Sequence, residues 1–175
     1  MPELPDVEIF RRYLNAKALN RKIARVVVKN TTVTRNTSPQ TIARHLKGRK
    51  LQSSHRHGKF LFGVLDQGGS VVFHFGMTGF FKYFKEKADE PRHTRVRFEF
   101  SNRAFLGFVC PRMFGQVDYT KDVNHYIKKR RLGPDALAVT WRGFKARLAG
   151  KKSSIKSVSP DGSEFVSRNR KYLLR

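Results

Sequence analysis

The chain has 175 residues, a length that suits one domain with room for a small addition and that can bury a core without a disulfide or a structural metal. It holds 37 lysines and arginines against 13 acidic residues, a net charge of +24, and a single cysteine, which excludes an internal disulfide and a zinc site built on several cysteines. No run of about 18 apolar residues occurs, which excludes a helical membrane span.

The first predicted element is a helix that begins near Pro5. Proline suits the first helical turn because its missing N–H has no partner there. Val7, Phe10, Leu14 and Ala18 recur at helical spacing and form one apolar stripe. We expect this stripe to dock on a core and to hold the residues before the helix in a fixed place.

Eight segments rich in β-branched and aromatic residues follow, with turns between them. This pattern predicts a two-sheet sandwich or a barrel. In one segment polar and apolar residues alternate, which predicts one buried face and one basic face. The segments are residues 23–28, 51–55, 60–65, 71–75, 80–84, 95–100, 104–109 and 117–119.

Two further helical patterns are present. A short helix is predicted behind Ser38 and Pro39. Helical spacing then returns only after Pro134, where an apolar stripe is predicted. The stripe consists of Leu137, Trp141, Phe144 and Leu148.

The positive charge is not confined to a tail, because residues 121–175 hold only 15 of the 37 basic residues. A folded body this basic indicates a polyanionic partner, with nucleic acid favoured. An acidic membrane surface or a ribosome is the alternative. The single thiol and the lack of a signal peptide indicate a reducing, intracellular setting.

The first residues carry the pattern of a nucleophile. If the initiator Met is removed, the chain begins with the secondary amine of Pro2, and the carboxylate of Glu3 follows directly. A free amine can attack an electrophilic carbon, and a nearby carboxylate can move protons for it. The alternative is an ordinary frayed terminus. The helix close behind favours chemistry, because the positive end of its dipole favours a neutral amine.

Three interior segments suggest contacts with nucleic acid, although each alone is weak evidence. Lys59 lies between a glycine and an apolar strand, where it can reach a phosphate or remain a solvated surface lysine. Met77 lies between glycines in a predicted turn that pushes its side chain outward, as an incidental exposed Met or as a wedge between bases. Arg112 and Phe114 lie on a short loop, where they could fill a vacated base position, or the aromatic ring could return to the core.

Four segments together resemble one family. They are residues 2–8 (Pro-Glu-Leu-Pro-Asp-Val-Glu), 74–79 (His-Phe-Gly-Met-Thr-Gly), 111–115 (Pro-Arg-Met-Phe-Gly) and 132–137 (Leu-Gly-Pro-Asp-Ala-Leu). In this order they resemble the signatures of the formamidopyrimidine-DNA glycosylase / endonuclease VIII family. The resemblance implies an α+β, mostly β fold: a two-layer antiparallel β-sandwich of about eight strands with an N-terminal helix, followed by a short helical segment. Residues 1–131 would form the catalytic domain, and residues 132–175 the truncated start of a helix–two-turn–helix DNA-binding domain.

The resemblance also implies an activity and a set of site residues. The activity is that of a base-excision-repair DNA glycosylase and AP lyase acting on oxidised purines in double-stranded DNA. Pro2 would attack the sugar and expel the base, Glu3 would move protons, and Lys59 would bind the adjacent phosphate. The implied DNA-binding residues are His74, Met77, Arg112, Phe114 and Lys156. We expect a monomer in the bacterial cytoplasm, associated with the nucleoid and with no membrane partner.

The chain departs from the family pattern in several places. The zinc finger of full-length members has no ligands here, so we expect no metal cofactor. Residues 151–156, which end in Ile155-Lys156, resemble the lysine-bearing segment of the family's DNA-binding domain, but the Gly-Asn backbone clamp that normally follows that segment is absent. Cys110 stands where an Asp is usual, Met113 where a second Arg is usual, and Asp6 where a Glu is usual.

Two alternatives from other functional classes remain at this point. One is a non-catalytic or weakly active damaged-DNA-binding module that keeps the basic face and the apolar wedge. The other is a general RNA or ribosome binder, which the charge alone suggests. Salt dependence does not separate them, since phosphate contacts dominate in all three cases.

Overall fold

The structure is a computed structural model, and it describes residues 2–135 and 137–149. The helices are α1 (Leu4–Ala18), α2 (Pro39–Leu46), α3 (Val123–Lys129) and α4 (Trp141–Leu148), with short 3-10 helices at Thr31–Val33 and Lys87–Asp89. The strands are β1 (Ile23–Val28), β2 (Leu51–His57), β3 (Phe60–Leu65), β4 (Ser70–His74), β5 (Phe80–Phe84), β6 (Thr94–Phe100), β7 (Phe105–Val109) and β8 (Gln116–Thr120).

The eight strands form two four-stranded sheets in which every paired neighbour is antiparallel. One sheet has the order β1-β6-β7-β5 and the other the order β2-β3-β4-β8. The predicted α+β, mostly β sandwich with an N-terminal helix is therefore confirmed.

Aromatic side chains fill the space between the two sheets. The ring of Phe73 on β4 lies 4.9 Å from Phe81 on β5 and 5.8 Å from Phe98 on β6, both in edge-to-face geometry. Each of these rings is at most 5% exposed. Such pairs add specific geometry to the burial of apolar area, so they fix how the sheets face each other.

Two helices cover the two open sides of the sandwich. Helix α1 packs against β2, β3 and β5, and so covers the side where the edge strands β2 and β5 lie. Helix α2 packs against β1 and β8, the two remaining edge strands. Covering edges in this way protects unpaired strand groups. Helix α1 contacts the sandwich through its predicted apolar stripe, in which Val7, Leu14 and Ala18 are fully buried.

Some local expectations were wrong. Helix α3 was not predicted, because its only buried residue is Tyr126 and it carries little apolar periodicity. Leu137 lies outside α4 and is 77% exposed, so it is not part of a buried stripe. The face of β6 that was expected to be basic and exposed contains Arg97, which is 6% exposed because it is paired with Glu90 at 2.6 Å and Glu99 at 2.7 Å.

The chain divides into two compact units between Val123 and Asn124. The first unit contains the whole sandwich and both helices that cover it, and the second contains α4. The domain boundary predicted from the sequence, between residues 131 and 132, lies eight residues after this division. Within the described residues, no helix is long and apolar enough to cross a bilayer.

Candidate active site

The N-terminus of α1 holds Glu3 in a defined position. The backbone N–H of Glu3 donates to the Asp6 carboxylate at 2.8 Å, and its carbonyl accepts from Val7 at 3.0 Å. The first of these bonds is the capping-box contact from the third helical residue back to the residue before the helix, and the second is the first hydrogen bond of the helix itself, so together they fix the first turn. Pro2 is covalently attached to this turn and is half-buried.

Glu3 is joined to Lys59 by an ion pair. The Lys59 Nζ lies 3.1 Å from Glu3 Oε2 and 3.2 Å from Oε1, and both side chains are largely covered, with 20% and 23% of their surfaces exposed. Lys59 lies in the two-residue turn between β2 and β3, where Gly58 has φ +57°, a conformation that glycine adopts at little cost. Sequence reasoning selected both residues but did not foresee that they contact each other.

The register of the second sheet brings His74 next to this turn. Phe60, which follows Lys59, is paired across the strands with His74, and the two rings lie 4.8 Å apart. The N–H of Gly76 donates to His74 Nδ1 at 3.3 Å. A neutral imidazole whose Nδ1 accepts carries its proton on Nε2, the form that can donate to a phosphate oxygen.

The backbone of the turn that carries Met77 packs directly against the backbone of the loop that carries Phe114. Gly76 has φ +60°, and a Cβ there would lie 2.6 Å from the Gly115 nitrogen and in closer conflict with the Phe114 carbonyl carbon. No side chain fits in that space, so a glycine is needed for the two backbones to touch. Met77 is 40% exposed and Phe114 is 53% exposed. The structure therefore presents two apolar side chains from adjoining loops.

The loop of residues 110–115 has its own internal support. The Cys110 carbonyl accepts from the Met113 N–H at 3.3 Å, and the buried Cys110 Sγ accepts from the Gly115 N–H at 3.2 Å. The exposed Arg112 places its guanidinium carbon 5.5 Å from the centre of the Phe114 ring. The guanidinium group and the ring are therefore close enough for a cation–π interaction.

A distant segment supports the same loop, and sequence reasoning missed it. Asn30 Nδ2 contacts Met113 Sδ at 3.4 Å, and Arg35 Nη2 donates to the Met113 carbonyl at 3.4 Å. Met113 has φ +55°, which is uncommon for a residue with a side chain. Met113 therefore points inward to this support. No local pattern around residue 30 signals the contact, because it depends on the fold.

One predicted DNA-binding residue, Lys156, lies outside the described residues. A metal site is not supported by the residues that the structure describes: no three His, Cys, Asp or Glu side chains come together there. The one cysteine, Cys110, is buried and occupied with the loop backbone. These donors do not fit the zinc site of the resembled family.

Comparison with known proteins identifies the family. Residues 1–117 match the model described as the formamidopyrimidine-DNA glycosylase N-terminal domain. The chain belongs to the formamidopyrimidine-DNA glycosylase family. This confirms the expectation from the four sequence segments, three of which lie at the site described above.

Curated relatives in this family agree. The chain is 35% identical over 160 residues to a formamidopyrimidine-DNA glycosylase of Solibacter usitatus, which covers 90% of this chain and 57% of the relative. It is 36% identical over 179 residues to that of Acidiphilium cryptum, covering 99% of this chain and 63% of the relative. The chain thus spans about three fifths of the length of the curated relatives it matches.

Solved structures of family members share the fold. The formamidopyrimidine-DNA glycosylase of Lactococcus lactis, non-covalently bound to DNA that contains an AP site, superposes with a TM-score of 0.74 at 24% identity, covering 84% of this chain and 55% of that one. The wild-type enzyme of the same organism, with DNA containing N7-benzyl-Fapy-dG, gives 0.70 at 25% identity, covering 76% and 49%.

Proposed function

We propose that the chain is a base-excision DNA glycosylase with AP-lyase activity, which removes oxidised purines of the formamidopyrimidine and 8-oxoguanine type from double-stranded DNA. The observation that carries the proposal is the Glu3–Lys59 ion pair beside Pro2, at the same end of the sandwich as the exposed Met77 and Phe114. Family membership and a net charge of +24 support it. Relatives of known structure have been solved with DNA that contains an AP site or a carbocyclic 8-oxo-G.

The first chemical step uses the proline nitrogen. Once Met1 is removed, the Pro2 nitrogen lone pair attacks C1′ of the damaged nucleotide, and the bond from C1′ to the base breaks. The base leaves with that electron pair and takes up a proton. Glu3 is the neighbouring carboxyl group that moves protons at the sugar.

The second step follows from the kind of amine. When the C1′–O4′ bond of the sugar ring breaks and O4′ takes up a proton, a secondary amine bonded to C1′ can form only a cationic iminium, which makes the C2′ proton acidic. Removal of that proton leaves an electron pair on C2′, which forms the C2′=C3′ double bond while the C3′–O bond breaks and the phosphate leaves with the electrons of that bond. Glycosylase and lyase steps thus share one covalent intermediate, which hydrolysis releases.

Lys59 and His74 would hold the DNA backbone. An ammonium group has three donors, so Lys59 can keep its contact with Glu3 and also donate to a phosphate oxygen. His74, with Nδ1 occupied by the Gly76 N–H, would donate through Nε2. These contacts position the strand and carry no sequence information.

The adjoining loops would stabilise the extruded base. Flipping a base out costs a few kcal/mol, least for a damaged base. Met77 and Phe114 can occupy the space left in the stack, and Arg112 can hydrogen-bond to the unpaired partner base.

The test is borohydride trapping of an abasic duplex by two forms of the full chain. In one form Pro2 is the first residue, and in the other an extra residue precedes it and turns its nitrogen into an amide. The same residue added at the other end of the chain is the matched control. We expect covalent capture by the first form and by the control, and at least about 100-fold less by the blocked form.

Two outcomes would favour a different function, and a third would refute the proposed nucleophile. Tight binding of abasic duplex by the unblocked chain without any capture would favour a non-catalytic damaged-DNA-binding module. Stronger binding of undamaged RNA than of the lesion duplex would favour an RNA binder. Equal capture by blocked and unblocked forms would refute Pro2 as the nucleophile.

A further inference from the structure

A second concave site lies away from the candidate active site. It is a cavity of about 510 Å³ between the end of α1, the end of β5 and the turn from β6 to β7. Its lining includes Arg21, Tyr83, Lys85, Glu86, Asn102 and Arg103. All of these residues belong to the first compact unit.

The elements that form the candidate active site also separate it from this cavity. Strands β5 and β7 are paired from Phe80↔Val109 to Phe84↔Phe105, with the Met77 and Phe114 loops at the first pair and the cavity beyond the last. Helix α1 has Glu3 before its first residue and Arg21 shortly after its last, and 15 helical residues span about 22 Å. One nucleotide therefore cannot occupy both places.

Among the described residues, the cations at the cavity form no ion pair with an acidic side chain. Within the described part of the chain, Arg21, Lys85 and Arg103 take part in no ion pair, and Glu86, which shares the cavity, pairs with none of them. By contrast, Arg97 in the same sheet is held by two carboxylates. Three like charges around one concave surface repel each other and raise the local concentration of anions.

Hydrogen-bonding groups that are not cationic lie among these cations. Tyr83 is half-buried, and its ring lies 5.5 Å from the guanidinium carbon of Arg21 and 5.7 Å from the Lys17 Nζ. The Asn102 Oδ1 accepts a hydrogen bond from the Ala104 N–H at 3.3 Å, which holds the Asn102 side-chain amide in the turn. A phenol, an amide and a carboxylate together offer donors and acceptors for uncharged polar groups.

We propose that this cavity binds a nucleotide unit, with its phosphate against Arg21, Lys85 and Arg103. The volume lies in the range of small-molecule sites. Guanidinium groups bind phosphate through paired hydrogen bonds, and an inorganic phosphate would leave the phenol, amide and carboxylate unused. The nucleotide can be free or part of a strand, and the inference does not depend on the activity proposed above.

The experiment measures binding of dAMP, inorganic phosphate and a short single-stranded oligonucleotide to the full chain by calorimetry. An abasic-analogue duplex is present at saturation so that DNA binding at the candidate active site does not contribute. The test variant is Arg21→Gln/Lys85→Gln/Arg103→Asn; Asn is chosen because Arg103 has φ +63°, which Asn tolerates. The matched control is Arg44→Gln/Lys47→Gln/Lys50→Gln, which removes three exposed cations elsewhere.

We expect saturable dAMP binding that the control retains and the test variant loses by at least about tenfold. The strand binding more tightly than dAMP would identify nucleic acid as the source, and equal affinities would identify free nucleotide. No saturable binding, equal binding by test and control variants, or inorganic phosphate binding as tightly as dAMP would each overturn the proposal. Should the triple variant fail to fold, Lys85→Glu alone serves, because this exposed side chain makes no hydrogen bond or ion pair with described residues.

Discussion

The contact between the Met77 and Phe114 loops can be tested by adding one methyl group at Gly76. In Gly76→Ala the new Cβ would lie 2.6 Å from the Gly115 nitrogen, whereas ordinary contact begins near 3.4 Å. The loops must separate by at least about 0.8 Å, since the Phe114 carbonyl carbon lies closer still, and such local overpacking costs about 1–3 kcal/mol. The left-handed φ of +60° adds about 1–2 kcal/mol for a residue with a side chain. We expect a total loss of about 2–5 kcal/mol.

Gly68→Ala is the matched control for this change. Gly68 also has a left-handed φ, +85°, but a Cβ there meets nothing within 4 Å. It should lose only the backbone part, about 1–2 kcal/mol. The difference between the two variants in urea unfolding isolates the contact between the loops.

The same pair of variants separates stability from function. A displacement near 1 Å at a catalytic site can cost about 100-fold in rate. We therefore expect Gly76→Ala to slow borohydride trapping by about 10- to 100-fold under conditions where it is fully folded, and Gly68→Ala to leave the rate unchanged. Equal unfolding free energies and equal trapping rates for the two variants would refute the reasoning.

Three further predictions concern side chains around the first helix and the sandwich. The hydrogen bond from Arg11 lowers the pKa of Glu8 to about 2, so its stabilisation is complete above about pH 5 and is lost as the pH falls towards 2. Because these side chains are partly exposed, Glu8→Gln should cost only about 0.5–1 kcal/mol in urea unfolding at pH 7 and progressively less as the pH falls from about 5 through 2; a constant difference would contradict this. Asp6→Ala removes the acceptor of the Glu3 N–H, so it should cost about 1 kcal/mol and slow trapping, and an unchanged rate would show that the capping box does not position Glu3. Arg97→Ala leaves Glu99 without its cation and Glu90 with Lys29 as its remaining cation, and should cost about 2–4 kcal/mol in thermal unfolding; a loss below about 1 kcal/mol would show that water replaces the ion pairs.

Much of the sandwich could be predicted from the sequence, because the patterns that indicate its helices and strands are local. Helix α1 follows from the spacing of Val7, Leu14 and Ala18, and five-residue strand β5 (Phe80–Phe84) was predicted with its exact bounds. Helix α3 was missed because a single buried residue, Tyr126, gives no periodicity. Arg97 was misplaced because alternation along a strand does not reveal the carboxylates that allow an arginine to be buried.

The candidate site also has one part that the sequence predicts and another part that it does not. Short motifs identified Glu3, Lys59 and Met77, and their roles remain predictions. The contacts among the site elements were not readable, because residues 56 positions apart form the Glu3–Lys59 pair and residues 83 apart form the Asn30–Met113 contact. Such pairs are set by strand order and by which helix covers which edge, which local patterns do not specify.

The central claim is that the proline nitrogen forms the bond to the sugar. The most direct measurement is mass spectrometry of the intact protein and its peptides after borohydride reduction with an abasic duplex. We predict a chain without Met1 that carries one reduced sugar adduct, located on Pro2. A chain with no adduct, or an adduct located on Lys59 or another lysine, would contradict it.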